Sequence, residues 1–315
     1  MTLPTVDVQA ALGKPKPKPK PKPQSQSTFN AQAAAPRAPA KPIASVHPAS
    51  RCSLRIELRR GDRPLYRATG FLLRVPYGHL LVTARHNFVG HDPLSNAPLD
   101  GRRQLDPDRV VVWHHRALHQ GQFRPLVQRI RSREGHPLWH EHPVHGARVD
   151  MAALPLLERE WVPMDPLALW PYDLSHQPAE LGFAPADHVS IVGFPLDVRV
   201  SGFAPVWSAA FIAAEPAQDV NELPLTLLDT PWYRESVGSP VVAPDPADPQ
   251  RLRLLGVYGG PVSASVPNIG ALWKASALAE LLAGVPRHFG EVGLMGAVKQ
   301  PASWLDVAGV LPEVD

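Results

Sequence analysis

Between residues 52 and 273 the apolar side chains come in short runs, each stopped within about ten residues by Gly, Pro or Asp. Runs of that length suit strands and leave little room for helices. The candidates are 52–59, 65–74, 79–83, 109–114, 122–129, 151–157, 188–193, 206–213, 225–229, 240–243, 252–259 and 269–273. Twelve short strands predict an all-β fold of two six-stranded antiparallel β-barrels. The clearest helix is 274–283, amphipathic and stopped by Gly284.

The chain has 315 residues and 38 prolines, unevenly placed. Residues 14–23 alternate Lys and Pro. Proline lacks the amide hydrogen and restricts the residue before it, so this stretch is expected as an extended, solvated spacer. Residues 1–45 therefore read as a disordered Lys/Pro-rich arm, 46–287 as the folded domain and 288–315 as a tail. Within the domain the first barrel is expected over about 50–160 and the second over about 161–287.

Charge divides along the same boundary. The first 41 residues carry seven basic side chains against one acid, hence +6, while the whole chain is +3; the rest is net −3. The domain itself gives no reason to expect nucleic acid as a partner, and only the arm could draw a polyanion. A solubilising spacer is the plainer reading of the arm. Cys52 stands alone, so no internal disulfide forms. That fits a reducing, cytoplasmic setting, as does the lack of an apolar leader run. No stretch of about 18 apolar residues predicts a membrane span.

Three stretches carry chemistry. Residues 68–88 run ATGFLLRVPYGHLLVTARHNF, a strand delivering His86 at its end. Residues 147–156 run ARVDMAALPL, with Asp150 opening an apolar strand. Residues 227–244 run LLDTPWYRESVGSPVVAP. Together they resemble the trypsin-like serine peptidases, in a bacterial cytosolic branch marked by the GFP turn at Gly193, Phe194 and Pro195. The resemblance covers roughly 50–287 and extends through 207–216 to the closing strand and helix at 269–282.

The resemblance implies that His86 is the general base and Asp150 the carboxylate orienting it. It also places Gly238, Ser239, Pro240 and Val241 on the family's GSPV frame, and there the chain departs from the pattern. The nucleophile position holds Val237, and the first glycine of the oxyanion loop is Glu235. Valine has no nucleophilic atom, and each lost oxyanion donor costs roughly 3–4 kcal/mol of barrier lowering. Ser236 is the adjacent candidate nucleophile; Ser239 sits two places late. Val257, Tyr258 and Gly259 are implied to border the substrate pocket, with Trp232 and Tyr233 at its base. The edge 254–260 is a place where a peptide strand could add.

Three readings stay open on the residues. One is a serine endopeptidase using His86, Asp150 and Ser236. Another is a pseudo-peptidase that binds a peptide or protein in the old cleft. A third reading makes the domain cargo of its basic arm. No cofactor is expected. His136, His140, His142, His145 and Glu141 form a His-rich stretch whose prolines break helical ligand spacing, so it reads as a loop and no metal is assigned. His114 and His115 read as pleat residues of a Val-rich strand.

Overall fold

The computed structural model describes residues 47–286, apart from 94, 100–105, 118–121, 157–166, 176–181, 196–203, 232 and 247. The expected arm and tail lie outside the described residues, as does Trp232. All described residues belong to one compact unit, 41–315.

A five-residue helix, α1 (Pro48–Cys52), leads straight into β1 (Ser53–Arg60). There follow β2 (Arg63–Val75), β3 (Gly78–Thr83), the short helix α2 (Arg85–Val89), β4 (Arg109–Arg116), β5 (Phe123–Arg129), β6 (Ala152–Pro155) and β7 (Leu167–Ala168). The second half holds β8 (His188–Gly193), β9 (Val206–Ile212), β10 (Leu225–Asp229), a 3-10 turn (Arg234–Ser236), β11 (Pro240–Asp245), β12 (Asp248–Pro261), β13 (Ile269–Lys274) and α3 (Ala275–Ala283).

The second half closes as a six-stranded barrel in the order β10-β13-β12-β11-β8-β9. The first half is a seven-stranded sheet following the path β5-β4-β1-β2-β3-β6, with β7 paired to β4. Among the described residues its ladder does not close as the expected first barrel. The edge strand β5 contains Pro125, which has no ladder donor to offer. The sheet curls until Gln128 Nε2 on β5 donates to Pro155 O on β6 at 2.6 Å. The segment after β5 spans the remaining gap. Leu138 N bonds Ile130 O, and His140 exchanges both backbone bonds with Ala153.

Apolar faces explain the packing. Ile56, Leu58, Leu81 and Val110 fill the first sheet, and Ile191, Val241, Leu255 and Leu272 fill the barrel. A third cluster joins the two halves: Phe71, Val82 and Met151 pack with Val192, Val242, Val257 and Trp273. Helix α3 lays Ala277, Leu278 and Leu281 on that cluster, the spacing of one helical face. Each such fully buried large side chain contributes roughly 1.5–3 kcal/mol. This joint core fixes β2 and β3 of one half against β8, β11, β12 and β13 of the other. No helix among the described residues is long and apolar enough to cross a membrane.

Candidate functional site: a histidine–aspartate pair facing a valine

Strand β3 is anchored by Leu80, Leu81 and Val82, all fully buried. It ends at Thr83, and α2 begins two residues later, so His86 sits in the first turn beyond a rigid strand. Asp150 is held between the fully buried Val149 and Met151 at the entry to β6. Its Oδ1 accepts the His86 backbone amide at 2.8 Å, and its Oδ2 lies 2.5 Å from His86 Nδ1. Both side chains are largely buried, with 10% and 13% exposure. A carboxylate on Nδ1 holds the proton there and turns Nε2 outward. Beside the pair, Arg85 Nε bonds Glu141 at 2.7 Å, and the same carboxylate oxygen accepts Trp139 Nε1 at 3.1 Å.

The segment opposite descends from β10 into the 3-10 turn. Every amide from 236 to 239 is committed: Ser236 N to Tyr233 O, Val237 N to Arg234 O, Gly238 N to Tyr258 O, and Ser239 N to Ser236 O, at 2.8–3.1 Å. The carbonyls of the segment are tied to the first sheet. Thr69 Oγ1 donates to Glu235 O at 2.8 Å, and Val237 O accepts Thr69 N at 3.3 Å and Asn87 Nδ2 at 3.2 Å. Asn87 Nδ2 also reaches Thr83 Oγ1, which itself donates to Thr69 O. Gly238 is required here, because its φ is +88° and a Cβ would come within 2.2 Å of Thr83 Oγ1 and 2.3 Å of Thr69 O.

His86 and Val237 line one shallow depression, together with Asp92, Pro93, Leu99, Arg234, Gly259 and Pro261. Ser236 is 3% exposed and is not among those lining residues. Among the described residues no hydrogen bond joins its hydroxyl to His86. Ser239 is fully buried; its Oγ has no partner and lies against Gly193, 2.1 Å from where a Cβ would stand there. Glu235 borders the turn through its backbone rather than lining the depression.

The three residues expected at the pocket border separate. Val257 and Tyr258 are fully buried, one in the joint core and the other in the barrel core, and only Gly259 reaches the depression. The reason is a register shift between Tyr258 and Gly260, which re-aims the side chains beyond it. The edge expected free at 254–260 is also occupied. Residues 252–257 pair with β11, Tyr258 exchanges bonds with Gly238 and Ser239, and 256–261 pair with β13. What remains is Gly259–Pro261, and Pro261 has no amide to donate.

Sequence reasoning missed Asp92, Pro93, Leu99 and Pro261, which come from loops and a strand end. Arg234 was the detectable one, two places before the serine. The His-rich stretch is a turn: His142 Nδ1 accepts the amides of Val144 and His145, and its Nε2 lies 3.2 Å from Glu280 on α3. Among the described residues no three His, Cys, Asp or Glu side chains come together as a metal cage. Cys52 lies away from the depression, and burial pushes its thiol up to about 12.

No family model matches the chain, and no curated protein matches it. Solved structures similar to it are serine proteases. The active form of the Rv3671c protease from M. tuberculosis is 17% identical, with 82% of this chain and 96% of that chain covered and a TM-score of 0.45. The serine endoprotease from Yersinia pestis is 12% identical, covering 78% and 67%, with a TM-score of 0.44. The MamO protease domain from Magnetospirillum magneticum in its apo form is 15% identical, covering 74% and 96%, with a TM-score of 0.44.

Proposed function

We propose that this chain is a pseudo-peptidase: a trypsin-like peptidase architecture whose cleft binds a peptide or protein segment without cutting it. The observation carrying the reading is Val237 in the depression beside His86. Hydrolysis needs a nucleophile there and free amides aimed at the developing oxyanion. Valine supplies no nucleophile, and the amides of 236–239 already donate to carbonyls. With one cysteine and no disulfide, we place it in the cytoplasm.

The intact His86–Asp150 pair favours a second reading, a serine endopeptidase in which Ser236 is the nucleophile. It would require the 3-10 turn to unwind, exposing Ser236 and freeing amides 237 and 238. The two readings separate in a turnover assay. Prolonged incubation of the full chain with unfolded casein should generate no new peptide termini by mass spectrometry. New termini that vanish on His86→Ala would establish the endopeptidase instead.

A further inference from the structure

We propose that the depression is a receptor for a free α-carboxylate, the C-terminal end of a polypeptide whose last residue is apolar. The proposal rests on the binding reading above and names its ligand class.

A histidine held by a carboxylate has a use that needs no nucleophile. With Asp150 on Nδ1, His86 presents Nε2 to the depression. Arg234 lines the same depression and is exposed at its rim. Its one hydrogen bond among the described residues is a long one, from Nη1 to Leu99 O at 3.4 Å, leaving most of its guanidinium donors for a ligand. Two groups that can carry positive charge thus face a single shallow site.

The remaining lining matches one apolar side chain beside that charge: Pro93, Leu99, Val237 and Pro261. Gly259 leaves room for the Trp273 indole behind the depression, since a Cβ there would lie 2.7 Å from Trp273 Nε1. The opposing charge is Asp92, and its Oδ1 is engaged by Ser95 N at 2.8 Å and Ser95 Oγ at 2.9 Å. The amides of 236–239 are committed, so an anion meets the side chains of His86 and Arg234 in their place. The backbone of an interior peptide segment brings no charge to meet them, and the strand edge left for it is short. A chain terminus brings the carboxylate that His86 and Arg234 lack.

The test compares N-acetyl-Ala-Ala-Pro-Val with a free carboxylate and the same peptide as its C-terminal amide, titrated calorimetrically into the full chain. The acid is expected to bind at least about tenfold more tightly than the amide, because the charge-assisted bonds of a carboxylate to Arg234 and to the His86 ring are lost in the amide. Arg234→Gln, at an exposed position, and His86→Gln should each erase most of that preference. Equal binding of acid and amide, no binding of either, or a preference surviving both substitutions would overturn the carboxylate assignment. Equal binding would leave the binding reading intact, whereas hydrolysis of casein by the wild-type chain would remove that reading itself.

Discussion

Asp150 grips His86 at two points, taking its backbone amide on one carboxylate oxygen and its ring Nδ1 on the other. The grip fixes ring plane and chain entry together. It also means that Asp150 holds α2 to the start of β6, whatever chemistry follows.

Asp150→Asn should therefore cost stability as well as ring orientation. Asparagine offers only one acceptor oxygen for two donors. Hydrogen bonds to charged groups contribute about 1.5–3 kcal/mol each, and a loss of about 2 kcal/mol is expected in urea unfolding. An unchanged midpoint would show that the pair contributes nothing to folding.

Gly238→Ala should be among the most damaging single changes in the chain. It combines a positive φ with two contacts that no real Cβ could keep, one of them to backbone. A loss of about 3 kcal/mol or more is expected, visible as a large fall in urea midpoint. Gly61 and Gly135 also have positive φ but face open space, so Ala at either should cost far less.

Two buried histidines in β4 set an acid limit. Burial lowers His114 to about 3, helped by the charges of His115, Arg124 and His79. Burial also lowers His115 to about 4, helped by Arg51. Above the ordinary value of 6.5 neither folded nor unfolded chain protonates them, so they leave stability unchanged. Below it the unfolded chain takes up protons that the folded chain refuses, and stability falls as pH drops towards 4. Urea midpoints measured from pH 7.5 to 4.5 should show that slope. His114→Leu should flatten it, and an unaltered slope would contradict the assignment.

Much of this architecture is written in local sequence. The twelve predicted strands all form, with ends shifted by a few residues, because Gly, Pro and Asp bound each apolar run. The two-residue β7 was missed, being too short to show a period, and α2 was missed because five residues after a strand carry no helical pattern. The open ladder of the first sheet depends on how β5 meets β6, which is a matter of curvature rather than composition. At the site, His86, Asp150 and Val237 were picked out by the resemblance of their three stretches to the trypsin-like serine peptidases. The committed amides of 236–239 were not, since they depend on a 3-10 turn fastened by Thr69 and Asn87 from the other half. The bulge after Tyr258 was signalled by Gly259 and Gly260 within the strand run, a sign not used in placing the pocket border.

Restoring a hydroxyl where Val237 stands should uncover latent chemistry. Val237→Ser would place Oγ in the depression with His86, and slow labelling by a fluorophosphonate is expected. Labelling should remain far below that of a competent peptidase, because the residue's amide stays bonded to Arg234 O. Adding His86→Ala should abolish it. If Val237→Ser stays unlabelled while remaining folded, the residue does not occupy the attacking position.

The most direct measurement is the intact mass of the unmodified full chain after exposure to excess fluorophosphonate, beside Ser236→Ala. A chain whose attacking position is a valine should show no adduct in either sample. An adduct on the wild type that disappears in Ser236→Ala would contradict the account at its centre.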